Sequence, residues 1–221
     1  MKKNILLICN YFAPDNTIAA VRTSKLAKYL RQSGYEVQVI AEKKDTAAED
    51  EILKKDTENI KVYYAYQSEF YKRFYKKYNE IIQPYKKKRF DNLDNRYRIN
   101  PKTGNLEFYP FETASPFLGS LDYIVGLIKQ YDLFLHIKKI LRHCKNFDYV
   151  ITSYGDAFSL FAGQCFHKYH KETPWIFDIR DAVYRYKFTP CYVSWIAKLY
   201  EKQIWKNADC ICLLYTSDAA D

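Results

Sequence analysis

The segment WIFDIRDAV places three charged side chains, those of Asp178, Arg180 and Asp181, at the end of an apolar run that begins at Trp175. Such a run is typical of a buried strand, and charged groups at its end are typical of a ligand site or of a strand that simply stops. In the structural alternative, Asp181 caps the next helix and Arg180 pairs with Asp178. The segment alone leaves both interpretations open.

Two further segments carry polar groups to the same place. The loop from Tyr11 to Thr17 follows the apolar run NILLIC and leads into a helix N-terminus, which is a ready anion site. In open α/β sheets, ligands bind beyond the carboxyl ends of the strands, so these segments converge on one edge. The second segment, after the run FDYVITS, supplies Ser153, Tyr154, Gly155 and Asp156.

Strand and helix patterns alternate along most of the chain, which predicts an α/β fold: a Rossmann-like, doubly wound parallel sheet with helices on both faces. Gly34 is positioned to end the first helix. The predicted strands are NILLIC, YEVQVIA, NIKVYYA, FDYVITS, PWIFDI and ADCIC, and the predicted helices are IAAVRTSKLAKYLRQSG, DAFSLFAGQCFHKYHK and CYVSWIAKLYEKQIWKN.

Residues 65–145 interrupt this alternation as a basic helical insertion. From Lys61 to Lys102 there are twelve Lys and Arg against four acids, a balance of +8 that supplies most of the net charge of +9. The stretch RFDNLDNRYRINPKTGNLEFYPFET is hairpin-like, with KTGN as its turn. The helix preceding it is predicted to place Tyr71, Phe74, Tyr75, Tyr78, Ile81 and Ile82 on one face and Lys72, Arg73, Lys76 and Lys77 on the other.

The composition fits a packed domain, with 48% hydrophobic and 18% aromatic residues. The first apolar run is too short for a secretory signal, and the sequence has no apolar stretch long enough to span a bilayer. The six Cys lack framework spacing. We therefore expect a cytoplasmic protein.

Four segments, in order, resemble the N-terminal domain of family 4-type glycosyltransferases of the GT-B fold. The resemblance covers about residues 1–64 and 145–212. The four segments are ICNYFAPDNTIAAVRTSKLAKYLRQSGYEVQVI, DYVITSYGDAFSLFAG, PWIFDIRDAV and LYEKQIWKNADCIC.

The resemblance implies a retaining transfer of sugar from a nucleotide-sugar donor to a glycan or lipid-linked acceptor, in surface polysaccharide or glycolipid synthesis. The domain would hold the acceptor, with Asp178, Arg180 and Asp181 at the reacting centre. A carboxylate there would orient the attacking hydroxyl, and Arg180 would hold an anionic group of the acceptor. Tyr11, Ser153, Tyr154 and Asp156 are the implied substrate-binding residues.

One departure from the family concerns the first loop. Many relatives have paired glycines where this chain has Ala19 and Ala20, so close approach of a glycine backbone to the donor's diphosphate is not expected. Contact with phosphate is assigned instead to Asn16, Thr17 and the helix N-terminus. No cofactor or metal is expected beyond the donor itself.

The C-terminal segment CLLYTSDAAD resembles the translation of a sequencing-library adapter. We therefore expect a family domain at 1–212, a non-native tail at 213–221 and a missing C-terminal donor domain. In that case this fragment alone would be inactive.

Two alternatives concern partners and class. The basic, Tyr-rich stretch 69–90 is suited to an anionic membrane surface, which would make the protein peripheral on the inner face of the cell membrane, or to packing on its own domain. A nucleic-acid partner is not expected, because no recognised binding module surrounds the patch. A nonenzymatic Rossmann-like binding module, complete in itself, remains the alternative to the glycosyltransferase.

Overall fold

A computed structural model describes residues 2–44, 48–90, 97–99, 106–108, 116–179 and 195–213, with side chains left out for 86–90, 97–99, 106–108, 116, 197 and 213. The elements in chain order are β1 (Asn4–Cys9), α1 (Ile18–Gln32), β2 (Glu36–Glu42), α2 (Glu51–Asp56), β3 (Lys61–Ala65), α3 (Glu69–Phe90), β4 (Tyr97–Ile99), β5 (Leu106–Phe108), α4 (Pro116–His143), β6 (Tyr149–Tyr154), α5 (Ala157–Tyr169), β7 (Trp175–Ile179), α6 (Trp195–Asn207) and β8 (Cys210–Leu213).

The main sheet has six parallel strands in the order β3-β2-β1-β6-β7-β8. Strands are added outward from β1 in one direction and then, after the insertion, from β6 in the other. This order is that of a Rossmann-like doubly wound sheet. The predicted fold class is confirmed.

The sheet is covered on both faces, which explains why β1 is apolar at consecutive positions. One core cluster joins Leu6 and Ile8 of β1 to residues of α4, α5 and α6, such as Ile137 and Phe158. The other joins Ile5, Leu7 and Cys9 to Ala27 of α1 and Leu53 of α2. The short helix α2 was not predicted from the sequence.

The predicted end of α1 is confirmed. Gly34 follows the C-cap Ser33 with a φ of +92°, a conformation that favours glycine, and the Ser33 and Gly34 amides donate to α1 carbonyls. In the insertion, β4 pairs antiparallel with β5, in agreement with the predicted hairpin.

The predicted apolar face of α3 divides into two stripes. Tyr71 is buried and Tyr78 is half-buried, and their hydroxyls donate to Val125 and Asp122 of the neighbouring helix α4. Ile82 is half-buried as well. Phe70, Phe74, Ile81 and Tyr85 form a second stripe with its side chains exposed. The predicted apolar face is therefore covered by α4 only in part. Among the described residues, no helix combines the length and apolar character needed to cross a membrane.

Candidate functional site at the strand ends

The site lies where the direction of strand addition reverses, between β1 and β6. Cys9 of β1 pairs in register with Ser153 of β6, and Ser153 pairs with Asp178 of β7. Residues at the carboxyl ends of three neighbouring strands therefore lie side by side. This is the edge at which open α/β sheets bind ligands.

Asp178 is held at this edge by two side chains. Its Oδ1 lies 2.5 Å from Nη2 of Arg22 on α1, and its Oδ2 accepts a hydrogen bond of 3.0 Å from Ser153 Oγ. Asp178 is only 5% exposed, whereas the Arg22 side chain is 27% exposed. The carboxylate therefore fixes a partly accessible guanidinium above the strand ends, and a fixed guanidinium suits a phosphate or carboxylate group.

The first turns of α1 explain why Arg22 lies here. Thr23 and Ser24 are polar but buried on the inner face of the helix. Thr23 Oγ1 donates to the Tyr11 carbonyl, and Ser24 Oγ accepts from the Ala13 amide. Because these bonds fasten α1 to the loop after β1, the neighbouring Arg22 is directed across β1 and β6 to β7.

A second polar cluster lies beside the first. Asn10, which follows β1 and is 1% exposed, donates through Nδ2 to Gln130 Oε1 on α4 at 3.1 Å. Gln130 Nε2 donates to Asp156 Oδ2 at 2.7 Å. Asn10 Oδ1 is buried and has no hydrogen-bond partner within the described part of the chain. A buried amide oxygen of this kind is a candidate acceptor for a ligand or an ordered water.

Asp156 also serves as the N-cap of α5, and its Oδ1 accepts from the Ala157 amide at 2.7 Å. The residue as a whole is exposed, but loss of water around its carboxyl raises its pKa, against the opposing effects of that amide and of Lys129. Its acceptor positions are thus partly occupied by protein donors.

Tyr11 is half-buried between two neighbours. A Cβ at Gly155 would lie 3.2 Å from its ring, and Lys44 Nζ lies 4.5 Å from the ring centroid. Burial, and next the charge of Asp156, raises the pKa of the Tyr11 phenol, so the group stays a hydrogen-bond donor at neutral pH. Tyr154 is directed into the core, where its ring lies 6.0 Å from that of Phe177.

Asn16 and Thr17 lie at the other end of the first loop and are exposed. Thr17 is the N-cap of α1, and its Oγ1 accepts from the Ala20 amide at 3.2 Å. The Thr17 amide itself donates to Asp15 Oδ1. Part of the helix N-terminus is therefore satisfied by the protein.

A cluster of one carboxylate and two lysines lies at the end of β2. Glu42 is 3% exposed, and its carboxylate lies 2.5 Å from Lys44 Nζ and 2.9 Å from Lys129 Nζ on α4. This ion pair ties α4 to the carboxyl edge of the sheet.

Sequence reasoning found part of this site. Asp178, Ser153, Tyr11 and Asp156 lie at the predicted edge, and Asp178 pairs with Arg22, whereas Arg180 and Asp181 lie outside the described residues. It missed Asn10, Arg22, Glu42, Lys129 and Gln130. Asn10 could have been found as the first polar residue after β1; the distant Gln130 and Lys129 carry no comparable local signal.

Comparisons with known proteins add little to this geometry. No family model matches the chain, and no curated protein matches it significantly. Among solved structures, the chain is similar to Phytolacca americana UGT2 complexed with UDP-2fluoro-glucose and pterostilbene, at 10% identity and a TM-score of 0.31. The match covers 82% of this chain and 30% of that enzyme.

Proposed function

We propose that this chain is the acceptor-binding half of a retaining glycosyltransferase, which moves a sugar from a nucleotide-sugar donor to a glycan or lipid-linked acceptor. The observation that carries the proposal is Arg22, a partly exposed cation held by Asp178 at the reversal point of the sheet. The segments that build this point are the ones that resemble family 4-type enzymes. A second domain, supplied by a longer protein, would bind the donor.

In this proposal Asp178 is a positioning residue. Both of its oxygens have protein partners and the residue is nearly buried, so it acts by orienting Arg22 and Ser153. Arg22 binds an anionic group of the donor or acceptor. Orientation of the attacking hydroxyl is assigned to Asp181, and Asn10 Oδ1 is available to accept from a substrate hydroxyl.

The test is transfer of labelled sugar from a panel of nucleotide sugars to membrane extracts by the full-length gene product. We expect Arg22→Gln to lower kcat/KM by about tenfold or more, because charge-assisted hydrogen bonds contribute roughly 1.5–3 kcal/mol. Arg31→Gln, on the last turn of the same helix, is the matched control. The double variant Arg22→Gln/Asp178→Asn removes the buried unpaired charge, so lost transfer with a restored fold isolates the role in binding.

The alternative, a nonenzymatic binding module, makes the opposite prediction. A natural gene that ends near residue 221, with a product that transfers no sugar to any extract, would exclude the glycosyltransferase proposal. A gene that continues into a donor domain would exclude the module.

The exposed stripe of α3 supports a membrane-bound acceptor. Phe70 is 81% exposed and Ile81 is 63% exposed, and Arg73, Lys76 and Lys77 are exposed on the same helix. Aromatic and aliphatic side chains bordered by cations are suited to the interface of an anionic bilayer. We assign this stripe to peripheral attachment on the inner face of the cell membrane.

Vesicle flotation tests that assignment. The chain should float with phosphatidylcholine vesicles that contain phosphatidylglycerol, and Phe70→Ser/Ile81→Ser should weaken flotation. Ile52→Ser, which changes an equally exposed side chain on α2, is the control. Absence of flotation at low salt with the anionic vesicles would refute the membrane assignment and leave the transfer proposal standing.

A further inference from the structure

Helices α3 and α4 border a partly open cavity of about 330 Å³ outside the cluster at Asp178. It lies within the size range of small-molecule pockets, at the lower end of roughly 300–1,000 Å³. Three tyrosines of α3 line one side, and Asp122, Gly126 and Lys129 of α4 line the other.

The tyrosine side is a nearly parallel series of rings. The Tyr71 and Tyr75 ring centroids are 5.8 Å apart with planes at 16°, and those of Tyr75 and Tyr78 are 6.3 Å apart with planes at 24°. Tyr78 is fixed by a hydrogen bond of 2.6 Å to Asp122 Oδ1. Burial raises the pKa of Tyr71 to about 12 and also raises that of Tyr78, so both phenols are neutral at physiological pH.

Gly126 adjoins this open space on the α4 side. A Cβ at Gly126 would have no heavy atom within 4 Å, although the residue lies in the middle of α4. Glycine in a helix interior lowers stability relative to alanine, so helix propensity does not account for this position. A position that needed only to pack would favour a larger side chain.

The cavity is also joined to the carboxyl edge of the sheet. Lys129, on its wall, is held at 2.9 Å from Glu42, the last residue of β2. Gln67, also on its wall, follows closely after the end of β3. A ligand in the cavity would therefore lie at the edge where the Asp178 cluster lies.

We propose that this cavity binds one saccharide unit of the acceptor, an inference that rests on the proposed transfer to a glycan or lipid-linked acceptor. A sugar ring has an apolar face of C–H groups, which packs against aromatic rings, and a rim of hydroxyls. Around the tyrosines, Gln67 offers a hydrogen-bond acceptor and donors, and Lys129 offers donors. This combination fits a polyhydroxylated ring better than a purely apolar ligand.

The test uses the 221-residue chain and a set of methyl glycosides of glucose, galactose, mannose and N-acetylglucosamine, with binding followed by saturation-transfer NMR and titration. We expect at least one glycoside to bind. Gly126→Leu places a side chain in the cavity and Tyr75→Ala removes part of its ring wall, so each should weaken that binding by about tenfold. Tyr29→Ala, at an exposed aromatic on α1 that does not line the cavity, should leave it unchanged.

Thermal unfolding of each variant separates loss of binding from loss of fold. A folded Gly126→Leu variant that binds as well as the parent overturns the proposal. Binding of uridine or adenosine at the same residues in place of every glycoside, or no glycoside binding at all, does so as well. Because no donor or transfer is involved, a chain that binds glycosides while the full-length protein transfers no sugar refutes the proposed function and retains the cavity.

Discussion

The Asp178 cluster and the α3–α4 cavity lie at the same edge of one sheet, but they differ in how much of their bonding capacity the protein itself uses. At Asp178, both carboxylate oxygens have partners, and the residue is almost completely buried. Between α3 and α4, three tyrosine rings and Gly126 border open space. The first region is built to hold its groups still, and the second is built to leave room.

This difference indicates how the two regions respond to change. Breaking a buried ion pair leaves a charge without compensation, so substitutions at the Asp178 cluster should lower stability in addition to their effect on binding. Substitutions that line open space remove few packed atoms, so they should act mainly on what binds there. The following predictions test that division.

The largest effect is expected for Arg22→Met. The substitution leaves the buried Asp178 carboxylate with Ser153 as its one remaining partner of the two. It should therefore lower the free energy of unfolding by about 3 kcal/mol. Urea denaturation measures it. Arg31→Met, at the other end of α1, should cost less than about 0.5 kcal/mol as a surface substitution.

Adding Asp178→Asn to Arg22→Met should recover part of the lost stability, because the unpaired buried charge is removed. A loss of stability below about 1 kcal/mol for Arg22→Met alone would be typical of an exposed ion pair. The two regions would then not differ in how they respond to substitution.

The next largest effect is expected for Lys129→Met, because the Lys129 side chain belongs to both regions. Glu42 is 3% exposed and would keep only Lys44 as a cationic partner, so we expect a loss of about 2 kcal/mol. The same variant should weaken glycoside binding. Lys139→Met, an exposed position on α4, is the control for both measurements. Weakened binding with unchanged stability would show that Lys129 serves the cavity alone.

Gly163→Ala extends the comparison to a helical glycine on the sheet side. A Cβ there would lie 2.6 Å from Thr152 Oγ1 and 3.0 Å from the Trp175 ring, so α5 would have to move away from β6 and β7. Overpacking of this kind costs about 1–3 kcal/mol, partly offset by the better helix propensity of alanine. We expect a net loss of roughly 1–2 kcal/mol in urea denaturation. A gain in stability would mean that the helix shifts freely.

The sequence predicted the sheet because its signals are local. Runs such as NILLIC identify strands, Gly34 identifies a helix end, and polar residues after strands identify the carboxyl edge. The pairing of Arg22 with Asp178 could not be predicted, because the residues are far apart in sequence and Arg22 has the pattern of an ordinary polar helix position.

In the insertion, the sequence predicts less of the structure. The amphipathic pattern of α3 predicts which residues are apolar, but not that Tyr71 and Tyr78 pack against α4 while Phe70 and Ile81 remain exposed. That division depends on where α4 lies across the stripe. Nor does the pattern show that Gly126 faces a cavity, since a helical glycine has the same sequence signature whether or not space surrounds it.

Gly126→Ala should have the smallest effect on stability, and it should raise the stability where the other substitutions lower it. Its Cβ meets nothing within 4 Å, so only the helix propensity changes, and we expect a gain of about 0.5–1 kcal/mol in the free energy of unfolding. The methyl group is small enough to leave most of the cavity open, so glycoside binding should fall less than with Gly126→Leu. A destabilised Gly126→Ala variant would show that the space is already filled by packed side chains, and the distinction between a fixed edge and an open insertion would then be lost.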